Sequence, residues 1–254
     1  MKIIRSIIVA FSMYSRIPMP RFDWESEDMK YHLIFFPWVG MVIAALEYLW
    51  RMLGDKFNIE VVAFVAVSIA IPLIVTGGFH VDGFMDTSDA LSSWQDKEKR
   101  LEILKDPHIG AFAVIRLVIA ILILAASLSV MDFKCFKVWL FSFFLSRVLS
   151  GISVVRFKNA KKDGLLNTES KTAGKNAVFG WLLAEGILGA VLMIITSPVV
   201  GALSLTTLLV CFFYYKKMAM DKFGGITGDL AGWFVCVSEV WCSVVCGIGA
   251  LWYL

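Results

Sequence analysis

Apolar positions along this chain gather into long blocks, and polar positions gather between them. A block of about 20 apolar residues matches a helix that crosses the hydrocarbon of a bilayer. Seven such blocks are predicted to span, at 33–53, 59–77, 111–131, 135–155, 176–196, 199–215 and 230–253. Pro37, Pro72 and Pro198 lie in or near them, where neighbouring helices can satisfy the freed backbone groups. The N-terminal stretch MKIIRSIIVAFSMYSRIP differs: Ile3, Ile4, Ile7, Ile8 and Phe11 recur at helical spacing, with Arg5, Ser6 and Ser12 between them. About a dozen residues are too few to cross, so an amphipathic helix lying in the interface is expected there. No small-x-small cleavage site follows it, so a removed signal peptide is not expected. The expected fold is all-α, a polytopic transmembrane helical bundle forming a single integral membrane catalytic domain over 1–254.

The connections differ in character. Those at 54–58, 132–134 and 197–198 are short, whereas those at 16–32, 78–110, 156–175 and 216–229 are long and polar. Seven alternating spans put the four long connections on one side. That side carries sixteen Lys and Arg residues, against Arg51, Lys56, Lys134 and Lys137 on the other. By the positive-inside rule the long connections face the cytoplasm. Composition agrees with the block pattern: 59% of residues are hydrophobic, above the 45–50% usual for soluble domains. A net charge of +3 gives no nucleic-acid footprint. The cysteines, Cys135, Cys211, Cys236, Cys242 and Cys246, lie in or beside apolar segments without metal-site spacing and read as small buried hydrophobes.

Chemistry is concentrated in GGFHVDGFMDTSD, residues 77–89, directly after the second apolar block. Asp82, Asp86 and Asp89 stand at i, i+4 and i+7, which places them on one face of a helix. Three carboxylates so close repel one another unless a proton or a cation intervenes. No Lys or Arg occurs between residues 57 and 96 to neutralise them. A divalent cation resolves the repulsion, and oxygen-only ligands favour magnesium, manganese or calcium over zinc. Gly77, Gly78 and Gly83 leave room for a ligand to approach the backbone, and a helix starting here directs N–H groups at an anion. A solvated acidic loop is the simpler alternative; the helical spacing at a membrane boundary argues against it.

Three further polar segments carry candidates. KDPHIGAF, 105–112, offers Lys105 and His108 for phosphate oxygens and Asp106 for the ligand field, or else is a turn before a span. RFKNAKKDGL, 156–165, is either a headgroup anchor or an electrostatic funnel for a polyanionic substrate, with Lys161 and Lys162 at its centre. KFGGITGDLAG, 222–232, sets Thr227 and Asp229 among glycines as a second ligand loop, with Asp229 reaching the metal or a ribose hydroxyl. It lacks the P-loop pattern. Within the spans, Glu47, Arg116, Arg147, Glu185 and Glu239 are costly in lipid and are expected to face the bundle interior. Arg147 either pairs with Glu239 or faces substrate. His32, in a polar connection, is expected to be solvated.

GGFHVDGFMDTSDAL, then KDPHIGAF, then FGGITGDLAG, in this order and preceded by YSRIPMP at 14–20, resembles the cobalamin synthase family. TGDLAG is a variant of that family's TGDTLGA. The resemblance implies an adenosylcobinamide-GDP ribazoletransferase of the bacterial inner membrane, multi-pass, with its active site facing the cytoplasm. The implied substrates are adenosylcobinamide-GDP and α-ribazole or its 5′-phosphate, the implied cofactor is magnesium, and GMP leaves. On this reading Asp82 and Asp86 ligate magnesium against the diphosphate. Asp89 completes the site or accepts the hydroxyl proton, and Asp229 closes it from the far loop. His80, Lys105 and His108 steady phosphate oxygens. Membrane lipid, other cobalamin-pathway enzymes and a second copy of the chain are the expected partners. Two rivals are weaker. A CDP-alcohol phosphotransferase would need an Arg after the Asp-Gly pair and a later aspartate pair, both missing here. A transporter would place its site near the bilayer midplane rather than at one face.

Overall fold

The computed structural model describes residues 2–25, 27–160 and 165–252. They form eleven α-helices and one 3-10 turn, Asp28–Lys30, with no strand among the described residues. The helices are α1 (Lys2–Tyr14), α2 (His32–Phe57), α3 (Val61–Thr76), α4 (Phe79–Ser92), α5 (Lys97–Ile103) and α6 (Ala111–Val130). They continue as α7 (Phe133–Arg156), α8 (Leu165–Thr172), α9 (Lys175–Thr196), α10 (Pro198–Phe223) and α11 (Gly228–Trp252). Six of these, α2, α6, α7, α9, α10 and α11, are long and apolar enough to cross a membrane. A seventh span exists only if α3 and α4 count together, and these two are bent by 97° at their junction. The chain is thus a polytopic helical bundle.

The bend refines the predicted span at 59–77. Helix α3 has 16 residues, so it rises only about 24 Å at 1.5 Å per residue, short of the roughly 30 Å of hydrocarbon. Its end is set by Gly77 and Gly78, with φ of 64° and 79°, a left-handed pair that side-chain-bearing residues rarely adopt. Both glycine N–H groups donate to the Leu73 carbonyl, closing α3 before α4 turns away. A second difference lies in α10, which runs on to Phe223, through residues expected to be a polar connection. Gly224 stops it in the left-handed region, leaving only residues 224–227 between α10 and α11.

Helix α7 is the axis of the bundle. Its membrane-crossing stretch is 83% buried, against 17% for α6, which therefore lies on the outside. It packs against α2, α9, α10 and α11. Buried Ser142, Ser146, Ser150 and Ser153 let those neighbours approach closely, as small residues do between helices in lipid. Helix α1 is too short to cross; it lays Val9, Ala10 and Tyr14 onto the bundle and leaves Ile3 and Ile4 exposed. No cysteine is disulfide-bonded, and Cys135, Cys242 and Cys246 are buried.

Candidate active site

Helix α4 carries the aspartates. It runs unbroken from Phe79 to Ser92, so the i, i+4, i+7 spacing is realised and the three carboxylates share one face. Asp82 is exposed, and Asp86 and Asp89 are half-buried. Helix α4 packs most extensively on α11, and Gly83 makes the crossing possible. A Cβ on Gly83 would lie 2.7 Å from the Asp229 carbonyl oxygen and 2.8 Å from its Cα. Thus the backbone of Asp229 rests on α4 at Gly83, beside the face that carries Asp82 and Asp86. One turn further into α11, Gly232 faces the backbone of His80 in the same way. Gly83→Ala is expected to force the helices apart and lower stability by about 1–3 kcal/mol, read as a fall in melting temperature in detergent. An unchanged melting temperature would mean the crossing yields.

At the start of α11, the Thr227 hydroxyl accepts from the Leu230 N–H at 3.2 Å and donates to Asp229 at 3.3 Å. Thr227 therefore caps the helix and holds the aspartate. The segment before it pairs with the basic connection: Ala160 N–H donates to the Ile226 carbonyl at 2.9 Å, and Ile226 N–H to the Lys158 carbonyl at 2.8 Å. This draws the basic segment beside Asp229. Lys161 and Lys162 themselves lie outside the described residues.

The structure corrects several expectations. Asp89 is not left open to a ligand: one oxygen accepts from Gly110 N–H at 2.7 Å and the other from Ala113 N–H at 2.8 Å. It caps α6, where the backbone donors and helix dipole attract a carboxylate, and so fastens the 105–110 connection to α4. In that connection Asp106 accepts from both the backbone and the ring of His108, at 3.0 and 2.6 Å. These bonds, the backbone one first, hold the Asp106 carboxyl below its usual range. Lys105, Asp106 and His108 are all solvent-exposed beyond the Asp89 end of α4.

His80 does not share the aspartate face. Two residues before Asp82, it points about 160° away around the helix at 100° per residue. It is 4% exposed, stacked on Phe36 and edge-on to Phe79, and neither ring nitrogen has a hydrogen-bond partner among the described residues. Of the two roles open to Arg147, the structure shows the pairing: its Nη1 donates to Glu239 Oε1 at 2.6 Å and to the Phe143 carbonyl at 2.7 Å. Arg116 faces outward, against the expectation for a charge in a span.

The four carboxylates proposed as metal ligands do not form a cage. Among the described residues no three His, Cys, Asp or Glu side chains are placed to hold a metal ion together. Asp89 is turned to α6, and Asp82, Asp86 and Asp229 do not converge on one point either. What remains is Asp82 and Asp86 on one helix with Asp229 against them. This suits magnesium, which binds through one or two carboxylates, substrate phosphates and water rather than an all-protein cage.

Sequence reasoning missed two features. Arg16 lies over the α3–α4 turn, with its Nε 2.4 Å from where a Cβ on Gly77 would stand, and its N–H donates to Val75 at 2.8 Å. It brings an exposed cation to the start of the aspartate helix; the YSRIPMP segment was its only signal. Second, His32 is fully buried rather than solvated, because α1 and α8 close over it. The Tyr14 hydroxyl donates to Glu169 at 2.6 Å, and His32 Nε2 lies 3.6 Å from the same oxygen. Burial first, and the Glu169 carboxylate second, hold the Tyr14 phenol well above its usual range, so it stays a donor. These partners are 155 residues apart in sequence, beyond any local pattern.

The comparisons with known proteins bear on this site. The family described as cobalamin-5-phosphate synthase matches residues 6–247. An adenosylcobinamide-GDP ribazoletransferase of Lachnoclostridium phytofermentans is 40% identical over 251 residues, covering 99% of this chain and 95% of that protein. Proteins of the same name from Clostridium perfringens strain 13 and Treponema denticola are each 31% identical, covering 96% and 93% of this chain and 98% and 95% of their own lengths. No solved structure matches. With a family match spanning all but the ends and relatives aligned along nearly their whole length, the chain belongs to the cobalamin-5-phosphate synthase family.

Proposed function

We propose that this protein joins adenosylcobinamide-GDP to α-ribazole or its 5′-phosphate and releases GMP, at an active site on the aspartate face of α4. The observation that carries this reading is the Asp82–Asp86 face, built against Asp229 in a chain that is 40% identical to an adenosylcobinamide-GDP ribazoletransferase over 99% of its length. Asp82 and Asp86 would hold magnesium. When bound, the ion neutralises charge on the diphosphate and makes GMP a better leaving group.

The chain's own residues do the rest. Arg16 and the basic segment at 156–162 attract the polyanionic donor and set its diphosphate along α4. The glycine-lined start of α11 lets substrate approach the backbone near Asp229. An acceptor hydroxyl oxygen bonds to the phosphorus beside the cobinamide arm. The bond from that phosphorus to the bridging oxygen breaks, and GMP leaves with the electron pair. The hydroxyl proton passes to a carboxylate of this cluster. Asp89 acts by position, tying the Lys105–His108 connection to the end of α4. The excess of basic residues on the long connections supports a cytoplasmic orientation for this face.

The test uses purified protein in detergent, adenosylcobinamide-GDP and α-ribazole, with GMP release followed over time. Release together with a cobalamin product is expected with magnesium, and loss of both on chelation, restored by added magnesium. GMP release unaffected by chelation would remove the metal from the mechanism. No release with any divalent cation, from folded protein, would remove the assignment.

A further inference from the structure

Away from the aspartate face, α4, α6, α10 and α11 enclose a groove of about 680 Å³. That volume is within the range of ligand-binding pockets. Its wall is mostly apolar or aromatic, including Ile123, Trp233 and Trp241, with the hydroxyl residues Ser88, Thr206 and Thr207 among them. It reaches α4 through Phe84 and Ser88, which stand at roughly 200° and 240° from Asp82 around the helix. The groove is therefore distinct from the candidate active site. One charged residue lines it, Arg116. Arg116 is exposed and has neither an ion pair nor a hydrogen bond to a described residue.

A lone cation in an apolar transmembrane helix needs an anion or water. Arg116 stands five residues into α6, about 7.5 Å from its start, within reach of the headgroups for a long side chain that extends towards the interface. Ile123 lies about 10 Å deeper on the same helix. The groove thus offers a cation near the start of α6, able to reach the headgroups, and an apolar channel leading inward from it. We propose that it is a binding site for one anionic phospholipid, with the phosphodiester on Arg116 and an acyl chain along the groove. The charge and the apolar wall point to a lipid together, since neither a free phosphate nor a neutral hydrocarbon satisfies both.

The experiment is native mass spectrometry of the detergent-purified full chain titrated with dioleoyl phosphatidylglycerol, beside the zwitterionic dioleoyl phosphatidylcholine. Wild type is expected to retain one phosphatidylglycerol per chain in preference to phosphatidylcholine. Arg116→Gln is expected to weaken that retention about fivefold, the usual effect of one basic residue at a lipid surface. Lys56→Gln, an exposed lysine at the far end of α2, is expected to bind as wild type does. The melting temperature should rise with phosphatidylglycerol in wild type and in Lys56→Gln, and far less in Arg116→Gln. Equal retention in Arg116→Gln and wild type would overturn the proposal. So would equal losses in both variants, because Arg116 would then only reach to bulk headgroups as any interfacial cation does. Because no step requires turnover, failure of the reaction assigned above would leave this result readable.

Discussion

Asp82→Ala is expected to lower the rate of GMP release by about 10²–10³-fold while leaving the fold intact, and Asp86→Ala to do the same. That is the scale at which removing one group that stabilises transition-state charge slows an enzyme. Asp82 is exposed on α4 and makes no contact that the bundle needs, so its loss should not move the melting temperature. Asp89→Ala is expected to behave differently. It removes two bonds that hold α6 to α4, at 2.7 and 2.8 Å, and should cost about 0.5–2 kcal/mol of stability, the range for a lost helix cap. Magnesium titrations separate the two roles. Asp82→Ala and Asp86→Ala should require more magnesium for half-maximal rate, and Asp89→Ala should not. If Asp82→Ala turned over normally, or if Asp89→Ala alone shifted the magnesium requirement, the ligand assignment would move along α4.

The contrast among these aspartates shows what the sequence could and could not reveal. Spacing alone placed Asp82, Asp86 and Asp89 on one face, and the unbroken helix bears that out. Spacing could not show that a backbone 21 residues away would claim Asp89, because capping depends on how the chain returns from α5. His80 lies inside the same motif, yet the 100° step of the helix turns it into an aromatic pocket behind the site. The spans were legible because each must be apolar along its whole length. The break at Gly77–Gly78 was not, since the hydropathy of α3 carries no sign of where the next helix points. Tyr14, His32 and Glu169 were invisible for the opposite reason: their meeting depends on tertiary packing of three separate helices, and each alone resembles an ordinary interfacial residue.

Arg147 and Glu239 carry the second large effect. The sequence left Arg147 either pairing with Glu239 or facing substrate, and the structure closes the pair at 2.6 Å between α7 and α11, which pack along one another. Arg147 is 1% exposed, and Ser146 gives Glu239 a further bond at 2.9 Å. Removing one partner leaves a buried charge without compensation, so Arg147→Met or Glu239→Leu should each destabilise by about 3–5 kcal/mol. Removing both should be far milder, because well-packed apolar residues often replace a buried pair at little net cost. The double variant Arg147→Met/Glu239→Leu is therefore expected to melt close to wild type, so its coupling energy, the change in the double less the sum of the two singles, should lie well above the usual 0.5–3 kcal/mol for contacting residues. Activity then decides what the pair is for. The cavity that Arg147 and His80 share lies behind the aspartate face, His80 standing some 160° around α4 from Asp82. The rescued double variant should therefore release GMP at nearly the wild-type rate. A double variant that regains its melting temperature yet releases no GMP would mean that Arg147 reaches substrate after all. The guanidinium would then have to leave Glu239 during turnover, and the α7–α11 contact would be a moving part of the enzyme rather than its axis.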